Sequence, residues 1–369
     1  MLNTLLGGLS PARFLDEYWQ KKPLLVRQAV PGFTGVVSKE ELFSLACDPD
    51  VESRHIRHST TEWEVHHGPQ RPSRLKGKQP WTVLVQGVNL FVPEGDELLH
   101  RFDFIPQARL DDLMVSYAVD GGGVGPHFDN YDVFLLQGRG KRRWRIGSQT
   151  DRSLVEGAPL RILSNFTPSE DWVLEPGDML YLPPHWAHDG VAVGECMTYS
   201  IGFRTPTGAE LGNQFLAYLQ DTICLEGVYR DPDLALQANS AEIGAPMIDQ
   251  VAQMLAAIRW DREMITDFLG RYLSEPKAHV FYEPPETPLT RQRFAGQLKK
   301  NGFRLDPRSV LLFADGRFFL NGEAVEGSLP CQSQLAELGH HRRLPATDHD
   351  AALVDLLYGW YLDGYGNPA

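Results

Sequence analysis

Residues 125–147, GPHFDNYDVFLLQGRGKRRWRIG, carry the pattern on which the interpretation of the whole chain depends. Within them, His127 and Asp129 are separated by one residue at the start of an apolar run. Because side chains on one face of a β-strand recur at every second residue, an extended segment directs both side chains to the same side. An imidazole and a carboxylate on one face can hold two adjacent positions of a metal ion. The stretch therefore predicts either two metal ligands or a polar strand end beside a turn.

The short His-x-Asp motif is not specific by itself. With 48 acidic residues among 369, the 12 histidines are expected to produce roughly 1.5 such matches by chance. A metal site also needs a third ligand, and LEPGDMLYLPPHWAHDG at residues 174–190 offers His185 and His188 after a predicted turn and strand. Two histidines and one carboxylate would leave the other positions of a ferrous ion open for oxygen chemistry. Spacing alone supports this site and two polar strand-end histidines packed by Trp186 equally well.

A basic strand follows the histidine–aspartate motif. After a predicted turn at residues 137–140, the strand KRRWRIG places Arg142 on the same face as Trp144 and Ile146. Two apolar partners mark this face as the inward one, so the Arg142 guanidinium is expected to be buried. A buried guanidinium is costly unless it meets an anion, and its planar fork suits a carboxylate. A dicarboxylate cosubstrate beside the metal would satisfy it.

The rest of the chain divides into segments that differ in predicted secondary structure. Short β-type runs separated by Gly, Pro, Asn and Asp fill residues 80–204 and predict a barrel or sandwich. Residues 209–275 are helical in pattern and carry an apolar stripe, whose spacing favours a core or oligomer-facing role over ligand binding. The stripe consists of Met247, Val251, Met254, Leu255 and Ile258. From Lys277 onward, a helix, a hairpin turning at Asp315-Gly316 and a final helix predict a small winged-helix-like domain.

Composition and charge argue against several classes of protein. The hydrophobic share of 42% and the charged share of 22% are typical of a globular protein. The N-terminus lacks a basic lead and a long apolar run, so neither a secretory signal nor a membrane span is expected, and the predicted location is the cytoplasm. The four cysteines form no C-x-x-C pair, which argues against a disulfide framework and a thiolate zinc site. The net charge of −13 disfavours nucleic-acid and anionic-membrane partners and favours a basic one.

These segments resemble a known family, the JmjC-type 2-oxoglutarate oxygenases, and most closely its bacterial ribosomal-oxygenase branch. The resemblance rests on DDLMVSYAVDGGGVGPHFDNYDVFLLQGRGKRRWRIG (111–147), EPGDMLYLPPHWAHDG (175–190), YSIGFR (199–204) and the entry segment FLDEYWQKKPLLVRQ (14–28). It implies a mainly β double-stranded β-helix, the cupin or JmjC jelly roll, with a helical dimerisation segment and a C-terminal winged-helix-like α+β domain. The expected boundaries are 1–205, 206–276 and 277–369.

The resemblance also implies roles for single residues. It assigns three iron ligands: His127, Asp129 and His188. For the third ligand, the matched position is His188 and not His185. It places Arg142 on the distal carboxylate of 2-oxoglutarate, with Ser116 as a second hydrogen-bonding group. Many JmjC relatives carry lysine in place of Arg142. Arginine at this position favours the ribosomal-oxygenase branch over interpretation as a histone demethylase.

The substrate pocket of the family is supported by strand parity. Asp112, Met114 and Ser116 alternate onto one face of a predicted strand. The matched positions imply that Asp112 pairs with the guanidinium of a target arginine. They also imply that Met114 and Tyr131 line its methylenes and that Ser200 adds a hydrogen bond. The alternatives are a core position for Met114 and a surface position for Asp112.

The function implied is hydroxylation of an arginine side chain in a basic protein of the large ribosomal subunit. The expected cofactors are Fe(II), the cosubstrate 2-oxoglutarate and O₂. A homodimer is expected, with neither membrane association nor direct nucleic-acid binding. Two alternatives stay open: a JmjC oxygenase that acts on another side chain, by asparagine or histidine hydroxylation or lysine demethylation, and a non-catalytic metal-binding cupin.

Overall fold

The structure is a computed structural model that describes residues 2–59, 62–77, 79–326 and 330–369. The helices are α1 (Leu2–Leu5), α2 (Pro11–Glu17), α3 (Lys39–Cys47), α4 (Pro93–Leu99), α5 (Gly208–Thr222), α6 (Ala245–Leu255), α7 (Arg262–Ser274), α8 (Arg291–Asn301), α9 (Gln332–His341) and α10 (Ala351–Leu362). The strands are β1 (Leu24–Val26), β2 (Ser53–His58), β3 (Trp63–His67), β4 (Trp81–Val85), β5 (Leu110–Ala118), β6 (His127–Phe128), β7 (Val133–Gly147), β8 (Glu170–Leu174), β9 (Met179–Leu182), β10 (Ala187–Phe203), β11 (Phe303–Leu305), β12 (Leu311–Ala314), β13 (Arg317–Leu320), β14 (Glu323–Ala324), β15 (Arg343–Leu344) and β16 (Gly366–Pro368).

Strands β1 to β10 form one antiparallel sheet in the order β1-β9-β7-β10-β5-β4-β2-β3, with β6 paired to β10 and β8 paired to β7. Two strands are much longer than the rest. The first half of β7 pairs with β9 and its second half with β8, while β10 pairs in turn with β6, β7 and β5. Each long strand therefore serves two layers, and the predicted double-stranded β-helix is confirmed.

The predicted turn at residues 137–140 is wrong, because β7 runs through these residues as one strand. Gly140 has φ 64° and Gly194 on the facing strand has φ 71°, and the register of β7 against β10 shifts here. A Cβ atom on Gly140 would collide with the carbonyl oxygen of Glu195. A bulge bends a paired strand and increases its twist without ending it. The glycines therefore mark the bend at which β7 passes from one layer to the other.

Asp132 fixes the chain directly after the histidine–aspartate motif. Its fully buried carboxylate accepts hydrogen bonds from the Tyr181 hydroxyl at 2.6 Å, the Gln20 amide at 2.9 Å and the Arg109 guanidinium at 3.3 Å. The Tyr181 ring packs edge-on against Phe14 of α2, with ring centroids 5.0 Å apart. The N-terminal segment is therefore tied through one carboxylate to the strand that follows the motif.

The C-terminal part contains the helix, hairpin and final helix that the sequence predicts. Helices α8, α9 and α10 pack with the adjoining strands around a core of their own. The hairpin β12–β13 turns at Asp315 and Gly316, where φ is 49° and 77°. Positive φ at both central residues is a feature of the type I′ turn that an Asp-Gly pair favours. This C-terminal unit contacts α4 through a buried ion pair, in which Arg342 Nε lies 3.6 Å from Asp96 Oδ2.

The apolar stripe of the helical region lies outside the core. Helix α6 has no buried residue, and Met247, Val251 and Leu255 are all exposed. The core interpretation of this stripe is therefore wrong, while the oligomer-facing interpretation stays a prediction. No helix in the described part of the chain combines the length and the apolar character that a membrane crossing requires.

We expect buried His55 to make the stability of the fold depend on pH. The His55 ring on β2 packs against Trp81 and His66, with ring centroids 5.3 and 6.2 Å apart. Burial, assisted by the nearby cations His66, Arg74 and Arg57, lowers its pKa from 6.5 to about 4. The unfolded chain therefore binds more protons than the folded chain between these values. The contribution of neutral His55 to stability is complete above pH 6.5 and is lost as the pH falls towards 4.

Chemical denaturation at pH 7 and pH 5 measures this effect. His55 should account for about 2 kcal/mol of the loss in the free energy of unfolding between the two pH values. The variant His55→Gln, which cannot take up the proton, should therefore lose less stability than the wild type. His67→Gln is the matched control, because His67 is an exposed histidine on β3. Parallel losses in all three proteins would contradict the assignment.

Candidate active site

Three side chains from two strand ends form a compact cluster. His127 lies on β6, Asp129 follows β6, and His188 lies on β10 directly opposite His127 in the register. Their possible ligand atoms all lie within 4.8 Å of one another. Asp129 Oδ1 is 3.7 Å from His127 Nε2, and Asp129 Oδ2 is 3.5 Å from His188 Nε2. Two imidazoles and one carboxylate around a common space match the donor set that non-haem ferrous iron uses.

Backbone carbonyl groups orient both imidazoles. The Nδ1 atom of His127 lies 2.8 Å from the Gly125 carbonyl oxygen, and Nδ1 of His188 lies 2.9 Å from that of Trp186. A carbonyl oxygen only accepts hydrogen bonds, so each Nδ1 carries a proton, and in the neutral ring each Nε2 presents a lone pair to the cluster. Such orienting contacts are typical of metal-binding histidines. The residues present therefore fit a divalent metal ion.

The charges within the cluster favour an ionised carboxylate. Burial alone would raise the pKa of Asp129, but in the metal-free cluster the hydrogen bond and charge of protonated His188, together with the charge of His127, lower it to about 2. Burial lowers the pKa of His127, while the neighbouring carboxylate raises the pKa of His188 in spite of its burial. Because metal ligands must be deprotonated, Asp129 is ready to bind a cation at neutral pH.

His185 lies outside the cluster. Its side chain is exposed, and its backbone adopts φ 68°, which is unusual for a residue other than glycine. The His185 N–H donates to the carbonyl oxygen of Asp129 at 2.9 Å. His185 thus supports the carboxylate ligand through its backbone, and of the two histidines left open by spacing it is His188 that joins the cluster.

Arg142 on β7 is buried, as its position beside Trp144 predicts. Its Nη1 donates to Ser116 Oγ at 3.1 Å and to Thr198 Oγ1 at 3.3 Å, and its Nη2 donates to the Gly190 carbonyl oxygen at 3.3 Å. Its Nε has no partner among the described residues, and no carboxylate of this part of the chain forms an ion pair with it. A buried cation without a counter-ion is unfavourable, so this end of the site is suited to an anionic ligand.

One cavity of about 430 Å³ contains the cluster and Arg142. Alternate side chains of strand β5 line one wall of the cavity. Asp112 and Ser116 are four residues apart on this strand, which corresponds to about 13 Å. The cavity lining includes all of the residues proposed for the site from sequence: Asp112, Met114, Ser116, His127, Asp129, Tyr131, Arg142, His188 and Ser200.

The expected alternative of a surface position for Asp112 is wrong. The side chain of Asp112 is buried, and it accepts hydrogen bonds from the Gly87 N–H at 2.8 Å and from Gln86 Nε2 at 3.4 Å. Burial raises its pKa, the charge of Lys277 opposes this rise, and the neighbouring Asp111 adds to it. Asp112 is thus a buried carboxylate at the opposite end of the β5 wall from Arg142.

Two contributors to the site were missed by sequence reasoning: Thr198, which lines the cavity, and Lys277, which lies beside it. Thr198 hydrogen-bonds Arg142 from β10, and its spacing of two residues from Ser200 was the signal that both hydroxyls share a face. Lys277 reaches Asp112 from the segment after α7. No local pattern marks Lys277, because its position depends on how distant parts of the chain pack.

Comparisons with known proteins agree with this geometry. A family model described as the JmjC domain matches residues 97–211, and one described as the ROXA-like winged helix matches residues 257–367. The ribosomal protein uL16 3-hydroxylase of Escherichia coli (strain K12) is 34% identical over 347 residues, covering 93% of this chain and 92% of that protein. The chain belongs to the JmjC-domain ribosomal oxygenases. It is an oxygenase of the uL16 hydroxylase type, and the prediction of a JmjC enzyme is confirmed.

Further relatives of this ribosomal oxygenase support the assignment. A probable ribosomal oxygenase of Haemophilus influenzae is 35% identical over 320 residues, covering 84% of this chain and 76% of that protein. The solved ribosomal oxygenase YcfD of Escherichia coli, in complex with cobalt and 2-oxoglutarate, has a TM-score of 0.83 at 32% identity. The match covers 97% of this chain and 98% of that chain. The expectation of a metal and 2-oxoglutarate is thus confirmed for the family, with cobalt standing in for ferrous iron.

We expect metal binding to separate His188 from His185. His127→Ala and His188→Ala each remove a lone pair from the cluster, so both should weaken metal binding by at least about a hundredfold. His185→Ala should bind metal like the wild type. Titration of the apoprotein with Co²⁺, followed by visible absorbance, measures this without recourse to activity. Equal loss in His185→Ala and His188→Ala would contradict the cluster as the metal site.

Proposed function

We propose that this ribosomal oxygenase hydroxylates an arginine side chain of ribosomal protein uL16, with Fe(II), 2-oxoglutarate and O₂. The observation that carries the proposal is the buried carboxylate of Asp112, which shares one cavity with the histidine–aspartate cluster. A buried carboxylate calls for a cationic partner, and the guanidinium group of arginine matches it in charge and planar geometry. The protein's own charge of −13 also favours encounter with a basic ribosomal protein.

The cluster and Arg142 divide the cofactor binding between them. His127, Asp129 and His188 would hold the ferrous ion through Nε2, a carboxylate oxygen and Nε2. Arg142 would hold the distal carboxylate of 2-oxoglutarate, because its guanidinium is buried and lacks an acidic partner in the described chain. The hydroxyl of Ser116, 3.1 Å from Arg142 Nη1, is placed to donate to the same carboxylate.

When bound, iron and 2-oxoglutarate supply the oxidation: one atom of O₂ enters the carboxylate of succinate, CO₂ leaves, and the other atom enters a C–H bond. The protein's residues supply position. Asp112 fixes the charged end of the arginine, and Met114 and Tyr131 line its aliphatic part. Ser200, opposite Met114 in the register of β10 and β5, offers a further hydrogen bond. Restraining the substrate carbon beside the cluster replaces a random encounter by an oriented one.

Arginine fits the cavity better than the other candidate side chains. Asparagine and neutral histidine carry no charge, so they would leave Asp112 with only the longer ion pair to Lys277, at 3.9 Å. A methylated lysine carries the charge but has few or no N–H donors for Asp112 and Ser200, whereas a guanidinium has five. Lysine demethylation is therefore the runner-up, and asparagine and histidine hydroxylation are less well supported.

We expect uL16 incubated with the enzyme, Fe(II) and 2-oxoglutarate to gain one oxygen on an arginine residue, as located by fragment mass spectrometry. Asp112→Asn should raise the KM for uL16 by roughly thirtyfold or more, because it leaves a cation in the cavity without its charged partner. Asp171→Asn is the matched control, since Asp171 is an exposed acid on β8 that pairs with Arg143. Loss of a methyl group, or oxygen on asparagine or histidine, would replace the arginine assignment.

We infer that residues 206–276 form the interface of a homodimer. Exposed apolar side chains are concentrated in this region of the chain. They include Leu216, Leu225, Val228, Leu234, Leu236, Ile243, Met247, Ile248, Val251, Leu255 and Trp260. Apolar surface of this extent is typical of interaction sites, and self-association is the commonest way to cover it.

Sedimentation velocity tests the homodimer. The double variant Ile248→Glu/Leu255→Glu puts two charges on the exposed face of α6, so we expect it to sediment as a monomer while the wild type sediments as a dimer. Val173→Glu is the control, because Val173 is an exposed apolar residue on β8, outside this region. A wild type that sediments as a monomer, or a double variant that still dimerises, would contradict the interface.

A further inference from the structure

Lys277 brings a positive charge of the chain itself close to the Asp112 carboxylate, from beside the cavity. It lies in the segment between α7 and α8, and its Nζ is 3.0 Å from Asp111 Oδ1 and 3.9 Å from Asp112 Oδ2. The Lys277 side chain is 34% exposed, whereas that of Asp112 is 5% exposed. The ammonium group therefore stands at the solvent side of the buried carboxylate.

The surrounding charges distinguish Lys277 from its neighbours. Asp111 has a second cation, since Arg204 Nε lies 3.6 Å from Asp111 Oδ1. Asp112 receives neutral hydrogen bonds from Gln86 and from the Gly87 N–H. Within the described chain, Lys277 is the cation that forms an ion pair with Asp112. Its contact with Asp112 is longer than its contact with Asp111.

We propose that Lys277 is a placeholder cation, which neutralises Asp112 in the free enzyme and yields this position to the cationic side chain of the substrate. The inference rests on the proposed function, in which Asp112 binds the target guanidinium. Lys277 then becomes a residue that sets substrate affinity, although it does not touch the reacting atoms.

The geometry makes the exchange favourable. A guanidinium can donate two parallel hydrogen bonds to a carboxylate at normal distance, whereas Lys277 is 3.9 Å from Asp112. The lysine stem is flexible, and Asp111 already holds the ammonium at 3.0 Å, so Lys277 keeps a counter-ion when it leaves Asp112. While Lys277 remains, however, its charge opposes the entry of a second cation. Its removal should therefore strengthen the binding of a cationic substrate.

The first test compares variants of the full-length enzyme in turnover of uL16. Lys277→Met removes the charge and keeps the length of the side chain, and it should lower the KM for uL16 roughly fivefold. The kcat and the KM for 2-oxoglutarate should not change. Lys277→Arg keeps the charge and should keep the KM of the wild type. Lys299→Met is the matched control, because Lys299 pairs with Asp348 on the surface of the winged-helix unit.

The second test measures binding without turnover. N-acetyl-arginine methylamide and its citrulline counterpart are titrated into the anaerobic enzyme loaded with iron and 2-oxoglutarate. Lys277→Met should bind the arginine compound roughly fivefold more tightly than the wild type does, and the neutral citrulline compound equally. Lys277→Gln, a polar neutral replacement with the same expected result, serves in case the methionine variant is unstable in thermal unfolding.

The outcomes separate the two proposals. An unchanged or higher KM, with unchanged or weaker arginine binding, in the neutral Lys277 variants would overturn the placeholder role. If Asp112→Asn still weakens uL16 and arginine binding, the proposed function stands. If Asp112→Asn changes neither, the recognition of arginine by Asp112 fails, and the role of Lys277 fails with it.

Discussion

The antiparallel register of β10 is the constraint on which the whole site depends. This one strand sets His188 opposite His127 on β6, Thr198 opposite Ser116 on β5, and Ser200 opposite Met114. The candidate metal-binding cluster, the Arg142 end and the proposed substrate end of the cavity are therefore aligned by the backbone pairing of one strand with its neighbours. A slip of one residue would turn all of these side chains to the other face of the sheet. The buried apolar side chains that alternate with them resist such a slip, so core packing and site geometry are maintained together.

The cavity contains two buried charges of opposite sign, Arg142 and Asp112, and neither has a close partner of opposite charge. Arg142 lacks an acidic partner in the described chain, and Asp112 meets its cation only at 3.9 Å. Buried charges without close partners cost free energy in the folded state. The β-helix tolerates them because a large aromatic and aliphatic core supports the same strands. Both groups would gain a close partner when a ligand binds. Sites that are less stable without their ligands are common in proteins, because function often reduces stability.

Much of the site was predictable because strand parity is strict. The alternation of side chains correctly put Arg142 inside with Trp144, and it correctly put Asp112 and Ser116 on one wall. Spacing did not separate His185 from His188, because both follow the same strand and the distinction depends on the left-handed backbone at His185. The turn predicted at residues 137–140 failed since glycine permits a bulge as readily as a turn. Whether the chain turns or continues at these glycines depends on its pairing with β10, which is distant in sequence.

Long-range packing was beyond the reach of any local pattern. Lys277 has no sequence signal that links it to Asp112. It follows the end of α7, which contacts the sheet where Arg204 Nη1 donates to the Leu273 carbonyl oxygen at 3.2 Å. The exposed face of α6 illustrates the opposite case. The apolar residues of α6 do recur at helical spacing. This spacing alone does not indicate whether they pack against the same chain or against another one.

The contacts of Asp132 have a consequence for what counts as the folding unit. The JmjC family model matches residues 97–211, yet Gln20 holds the strand that follows the histidine–aspartate motif, and β1 to β4 complete the sheet from before residue 97. The region that family members share most recognisably is thus smaller than the region that must fold as one body. Excision of the matched segment would expose both a sheet edge and a buried carboxylate. A minimal catalytic fragment of this enzyme has to begin at its N-terminal helices.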